Sequence, residues 1–161
     1  MAEEPPDISG PVVVRRGPET REAIHRAAID LFAKLGYHAT SMRAIASEAD
    51  VQPAAIYHWY PNKEAILVGL QDDFMERLTE RVVSAVDQQP RPALKVAAAV
   101  REHVIFHGLH RQAAFVTDSE IRALTEGPRR ALIAKRDDYQ AIFSGLIAAG
   151  IDEGSLVWRP W

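Results

Sequence analysis

Residues 52–63 read QPAAIYHWYPNK, and this stretch decides the fold. Pro53 has the fixed φ that suits the first position of a helix, and Pro61 ends that helix, so barely two turns fit between them. Into those turns the chain places Tyr57, His58, Trp59 and Tyr60 side by side. Four consecutive positions wrap the whole circumference of a helix with about 3.6 residues per turn, so the four rings cannot share one core. Ile56 and Tyr60, four residues apart, are expected to turn inward. Pro53, Ala54, Ala55, Tyr57, His58 and Trp59 are then left around an exposed face and tip.

The residues just before this helix say what it packs on. In SMRAIASEADVQPAAIYHWY, residues 41–60, Met42, Ile45 and Ala46 fall on one side of a short helix. Ala46 is small enough for a second helix to cross closely. A tight turn through Asp50 follows, Val51 plugs the angle, and Ile56 returns an apolar contact. A small residue, a turn, an apolar plug and an apolar anchor make the pattern of a helix-turn-helix, although many helix corners would satisfy it. Small residues at the start of the second helix suit close approach to base edges and thymine methyls. Tyr57, His58 and Trp59 supply O–H and N–H donors for phosphate and sugar.

Working outward, the pattern stays helical. Pro18, with Glu19 and Glu22 behind it, opens a first helix carrying Ile24, Ala27, Ala28, Leu31, Phe32 and Leu35, and Gly36 stops it. Thr40 or Ser41 caps the second. Asn62 caps a long fourth helix in which Ile66, Leu70, Phe74, Leu78, Val82 and Val86 recur every fourth residue. Pro92 opens a fifth helix through about Leu109. A sixth is expected from about Gln112 to Leu124, broken by Glu126-Gly127-Pro128. A seventh is expected from about Arg129 to Ala149, with Leu132, Ile133, Ile142, Phe143, Leu146 and Ile147 buried. No strand alternation is present, so the class is all-α. The prolines and missing periodicity before Val14 predict a disordered arm.

Composition agrees. The 161 residues are 47% apolar and 25% charged, with a net charge of −3 and no cysteine. Disulfide and thiol chemistry are excluded, and a reducing compartment is indicated. No apolar run spans a bilayer and no signal peptide is evident. Basic residues slightly outnumber acidic ones between Val12 and Lys63, while the rest is acidic, an asymmetry that permits an anionic partner near the N-terminus without requiring one. Arg15, Arg16 and Arg21 read equally as an arm reaching DNA or as a solvated tail.

Residues from about Arg21 to Leu70 resemble the N-terminal domain of the TetR family of bacterial transcriptional regulators. The resemblance rests on AIDLFAKLGY (Ala28 to Tyr37), TSMRAIA (Thr40 to Ala46), AAIYHWY (Ala54 to Tyr60) and NKEAIL (Asn62 to Leu67). It implies a repressor that binds a palindromic operator as a homodimer in the bacterial cytoplasm, associated with the nucleoid; an enzyme is not expected, since the sequence carries no paired-carboxylate, nucleophile-elbow or phosphate-loop signature. It implies a disordered arm over residues 1–17, a DNA-binding domain over 18–62 and a regulatory body over 63–161. The DNA contacts it implies are Thr40, Ser41, Arg43, Gln52, Pro53, Ala54, Ala55, Tyr57, His58, Trp59 and Lys63. Asp50 stands where the family commonly has glycine, and Asp tolerates a left-handed turn better than most residues.

The resemblance also implies a small-molecule effector enclosed by the C-terminal helices and no cofactor. Candidate lining residues are Phe74, His107, Phe115, Asp118, Arg122, Tyr139 and Phe143. The composition suits a lipid-like or acyl-CoA-type molecule; from spacing alone Phe74, Leu78, Phe106, Phe115, Tyr139 and Phe143 read mostly as core. His103, His107 and His110 share one side of the fifth helix, but three ligands on one helix seldom converge on a metal, and none is assigned. The chain also reads as short of the family's last helices, which would leave the seventh helix's apolar face exposed or covered in part by Trp158 and Trp161. The alternative reading is a helical ligand carrier or protein-interaction module that does not bind DNA.

Overall fold

The structure, a computed structural model, describes residues 17–157. Residues 1–16 of the expected arm, with Arg15 and Arg16, lie outside the described residues, as do Trp158 and Trp161. The described chain forms α1 (Gly17–Leu35), α2 (Met42–Glu48), α3 (Pro53–Trp59), α4 (Lys63–Asp87), α5 (Pro92–Leu109), α6 (Arg111–Ser119), a 3₁₀ turn (Glu120–Ala123) and α7 (Glu126–Asp152). No strand occurs among the described residues, so the all-α expectation holds.

The first three helices share one core. α1 buries Ala23, Ile24, Ala27, Ala28 and Phe32, and α2 lays Ile45 and Ala46 against it. Ser41 is the cap of α2: its Oγ accepts from the Ala44 amide at 3.1 Å. Thr40 is turned the other way and donates its hydroxyl to the Gly36 carbonyl at 2.9 Å. The α2–α3 turn closes when the Val51 amide donates to Ala46 at 3.0 Å. To make that turn Asp50 adopts φ +53°, the left-handed conformation that its side chain disfavours less than most.

Lys63 staples this unit to α4. Its Nζ donates to the carbonyls of Tyr37 (2.5 Å), Thr40 (2.6 Å) and His38 (3.4 Å) and lies 4.3 Å from the Tyr37 ring centre. The three carbonyls belong to the α1–α2 turn; that of Tyr37 also accepts from the Thr40 amide at 3.2 Å, and the ammonium gives the Thr40 and His38 carbonyls a donor. Burial pushes the Lys63 pKa down while Glu120 acts the other way. Two more bonds tie the later chain to this region: the Thr125 amide donates to Glu64 at 2.6 Å, and the Tyr37 amide to Glu120 at 3.3 Å.

α4 is the spine of the body. Its every-fourth-residue stripe (Ile66, Leu70, Phe74, Leu78, Val82, Val86) is buried, and α4 packs against α1, α5, α6 and α7. Each fully buried Leu or Ile contributes about 1.5–3 kcal/mol. Gln71, also buried, donates to the Thr117 carbonyl of α6 at 2.9 Å, and Arg136 of α7 donates to the same oxygen at 3.0 Å. One α6 carbonyl thus joins α4 and α7.

Four expectations are corrected here. α6 ends at Ser119 and continues only as a 3₁₀ turn. The Glu126-Gly127-Pro128 stretch does not precede α7 but forms its first turn, where Pro128 forfeits no intrahelical bond. Leu35, the last residue of α1, is exposed, and so are Ile133 and Ile147, because the packed side of α7 is narrower than its apolar composition suggests and centres on Leu132, Ile142, Phe143 and Leu146. Arg21 belongs to α1 and is engaged with Asp73, not extended in an arm. No described helix is long and apolar enough to cross a membrane.

Two substitutions test these joints. Because position 50 is left-handed, Asp50→Gly is expected to be more stable than Asp50→Ala by about 1 kcal/mol in urea denaturation. Lys63→Met keeps the apolar stem but removes the ammonium shared by the three turn carbonyls, leaving those of His38 and Thr40 without it. It is expected to cost about 1–2 kcal/mol in the same measurement, and equal midpoints for Lys63→Met and wild type would exclude the staple.

Candidate nucleic-acid interface

α3 is divided as its sequence requires. Ile56 has no exposed surface, and Tyr60, which ends the helix, is buried. Gln52, Pro53, Ala54, Tyr57, His58 and Trp59 are exposed and Ala55 is half-buried. Tyr57 is 53% exposed and Trp59 36%. The Trp59 ring edge lies so close to Gly17 that a Cβ there would sit 3.2 Å from it, so the start of α1 supports the tip of α3. His58 meets Trp59 edge-on at 5.7 Å. Ser41, the cap of α2, and Arg43 within that helix are also exposed.

The surface therefore has a smooth end (Pro53, Ala54, Ala55) and a ring-bearing end. Its polar groups are the Gln52 amide, the Tyr57 hydroxyl, the His58 imidazole, the Trp59 indole N–H, the Ser41 hydroxyl and the Arg43 guanidinium. All can donate to an anionic backbone. Two expected contacts are not presented. Thr40 is 2% exposed, because its hydroxyl is held on Gly36. Lys63 has its donors turned onto the α1–α2 carbonyls, so its positive charge holds the turn from within.

Behind α3 lies a polar ring that the sequence reading missed. Arg21 Nη2 donates to Asp73 Oδ1 at 2.8 Å, and Arg21 Nε donates to the Tyr60 hydroxyl at 3.2 Å. Tyr60 and His25 Nε2 are 2.5 Å apart, and His25 Nδ1 is 2.9 Å from Asp73 Oδ2. One arrangement of protons satisfies all four contacts: Tyr60 O–H donates to Nε2 and Nδ1–H donates to Asp73. Burial lowers the His25 pKa, with Asp73 opposing and Arg21 assisting, while burial raises that of Tyr60, with Arg21 opposing. The sequence signal was Gly69, a glycine in the interior of α4 that costs helix stability. A Cβ there would lie 3.2 Å from both His25 Nε2 and the Tyr60 ring, so glycine is what lets α4 approach the pair.

In the body, four of the proposed effector-lining residues meet. Phe74 is edge-on to His107 (5.4 Å) and to Phe106 (5.1 Å). His103 lies 4.2 Å from His107 and 5.9 Å, nearly parallel, from Tyr139, which meets Phe143 at 5.4 Å. His103 Nδ1 and the Tyr139 hydroxyl share a 2.8 Å hydrogen bond. Burial pushes Tyr139 up to about 12 and His103 down, so both are held neutral. A cleft of about 560 Å³ runs beside Tyr139 and Ile142 along α4. A second of about 610 Å³ opens between α1, α4 and the α5–α6 junction, over Phe74 and Phe106.

The other three candidates do not join them. Phe115 is 59% exposed, because α6 buries Ala114, Val116 and Thr117 instead. Asp118 is exposed and paired with Arg136 at 3.0 Å, and Arg122 lies exposed on the 3₁₀ turn. Among the described residues no cluster of three metal-ligating side chains forms, and His107 Nδ1 donates to the His103 carbonyl.

This geometry matches known proteins along most of the chain. The family described as bacterial regulatory proteins, tetR family, matches residues 24–70, and the tetracyclin repressor-like C-terminal domain matches residues 89–160. The fatty acid metabolism regulator protein of Bacillus subtilis is 28% identical over 130 residues, covering 81% of this chain and 67% of that protein. The crystal structure of a tetR-family bacterial regulatory protein from Rhodococcus RHA1 superposes with a TM-score of 0.79 at 27% identity, over 84% of this chain and 71% of that one. The regulator FadR of B. subtilis, solved in complex with stearoyl-CoA, gives a TM-score of 0.74 at 26% identity, over 87% and 75%. The chain spans about two thirds of the length of the curated relatives it matches. With two domains of one family matched in order on one fold, the chain belongs to the TetR family of bacterial transcriptional regulators.

Proposed function

We propose that this chain is a ligand-responsive transcriptional repressor that binds a palindromic operator as a homodimer, with α3 in the major groove. The observation that carries the reading is the outer face of α3. A two-turn helix anchored by Ile56 and Tyr60 exposes small residues at one end and Tyr57, His58 and Trp59 at the other. Pro53, Ala54 and Ala55 admit the backbone to base edges, with Gln52 reading them. Tyr57, His58, Trp59, Ser41 and Arg43 hold the flanking phosphates and sugars. Thr40 and Lys63 act from behind, by shaping the turn. Residues 18–62 form the DNA-binding domain and residues 63–161 the regulatory body.

The effector is an acyl-CoA-type or similarly amphipathic molecule whose apolar part is received around Phe74, His107, Tyr139 and Phe143. Support comes from the clefts beside this cluster and from the relatives, one named for fatty acid metabolism and one solved with stearoyl-CoA. The exposed apolar residues of α5 and α7, among them Val100, Val104, Ile147 and Ile151, support association with a second copy. The reading places the protein in the bacterial cytoplasm, without an enzymatic role.

Selection of duplexes from a random pool, followed by affinity measurement on the winner, tests the interface. Wild type is expected to retain an inverted repeat, with affinity falling steeply as salt rises. Arg43→Ala should make the log–log salt slope shallower by about one, and Tyr57→Ala should weaken binding roughly fivefold with the helical circular dichroism unchanged. Ala54→Leu should abolish binding by holding the backbone off the groove. Recovery of no preferred sequence, with salt-independent retention, would favour the ligand-carrier alternative.

A further inference from the structure

We infer that His25 is a positioning residue for the recognition helix, and that the ring Arg21–Tyr60–His25–Asp73 is a proton-sensitive latch through which acidification weakens operator binding. The inference rests on the DNA-binding reading above and specifies a way in which that binding is regulated.

The argument begins with connectivity. Tyr60 is the residue on which α3 ends, and its amide donates to Ile56, so its position sets where the last turn of the recognition helix lies. Its hydroxyl contacts only partners outside α3: Arg21 and His25 on α1, which are both joined to Asp73 on α4. His25 is nine-tenths enclosed, and Gly69 brings the α4 backbone against it with no side chain between. A change in this ring is therefore passed to α3 on one side and α4 on the other.

Only with neutral His25 are the four contacts made and the Tyr60 proton also given an acceptor. The hydroxyl of Tyr60 then has one acceptor, Nε2, and one donor to receive, Arg21 Nε–H. Protonation turns Nε2 into a donor. Two N–H groups then point at the Tyr60 oxygen, the Tyr60 proton loses its acceptor in a buried site, and a second cation stands beside Arg21. The charged and titratable groups around His25 are Arg21, Glu22 and Arg26 on α1, Tyr60 after α3, Asp73 and Arg77 on α4, and His110 at the α5–α6 junction. Asp73 favours the imidazolium, but burial outweighs it.

The sign follows from the lowered pKa. The contribution of neutral His25 is complete above the ordinary histidine value and is lost as pH falls from there toward the depressed value. A conformation in which the ring is open accepts the proton more readily, so acid favours that conformation.

The test uses the whole chain and the duplex it selects from a random pool at pH 7.5. His25→Gln can donate to Asp73 and accept from Tyr60 but cannot titrate. It is expected to keep the wild-type affinity at pH 7.5 within about threefold. Between pH 7.5 and 5.5 the ratio of wild-type to His25→Gln affinity should fall severalfold, because the open conformation takes up the His25 proton more readily. Comparing the pair cancels His58 and His110, which both proteins retain. Tyr60→Phe opens the ring from the other side and should remove the same pH-dependent component. In the absence of DNA, nitrogen NMR should find His25 as the Nδ1–H tautomer, and the amides of residues 54–59 should shift with its titration in wild type but not in His25→Gln. Parallel pH profiles for wild type and His25→Gln, or α3 amides indifferent to His25 protonation, would overturn the latch. Failure to select any duplex, with the amide response intact, would sink the DNA-binding reading and leave the mechanical coupling standing.

Discussion

The constraint on which this structure depends is the shortness of α3. Seven residues offer room for one inward anchor within the helix, Ile56, and a second just beyond it, Tyr60. An isolated helix of that length does not persist in water, because nucleation costs more than two turns of hydrogen bonds return. Everything nearby can be understood as supplying what α3 lacks. Pro53 pre-sets its first turn, Gly17 supports Trp59 at its far end, and the α2–α3 turn is closed by the Val51 amide on Ala46. The outer rings stay exposed because the helix has no inward positions left for them.

Much of this was legible because it follows from local chemistry. The prolines around α3, the four-residue spacing along α4 and Asn62 at its start fix helices whatever the tertiary context, and Ala46 marks a close crossing by its size alone. What was hidden depends on partners distant in sequence. Lys63 reads as a free cation beside a helix start, yet it is consumed by carbonyls more than twenty residues earlier. Thr40 and Ser41 both read as caps, and only the path of the chain from Gly36 decides that Ser41 caps while Thr40 turns inward. Pro128 reads as a stop because sequence does not say whether a proline ends one helix or sits in the first turn of the next.

The residues proposed to line an effector site divide along the same line. Phe74, His107, Tyr139 and Phe143 lie on long helices whose packed side is set by periodicity, and they meet. Phe115, Asp118 and Arg122 lie on or after the short α6, where a rotation of one residue exchanges inside for outside. There Thr117 is buried and the neighbouring Asp118 is exposed to pair with Arg136. An aromatic residue in such a segment carries little information about its side, and composition alone favoured the wrong one.

α4 shows how the two regions can act on each other. Between Lys63 and Phe74 it carries the Lys63 staple, the bare backbone at Gly69, the Gln71 bond to α6, Asp73 of the polar ring and Phe74 of the aromatic cluster. Gln71, Asp73 and Phe74 are separated by less than one turn, so a rotation of α4 that relieves pressure on Phe74 must move the other two as well. Apolar contacts yield gradually to such a movement, but hydrogen bonds are lost over a fraction of an ångström once distance and angle fail. A ligand that crowds Phe74 would therefore meet little resistance until the Gln71 or Asp73 bonds break together, and α3 would be released in one step instead of drifting. Such sharpness would come from placing polar joints, rather than more apolar surface, between the proposed effector cluster and α3.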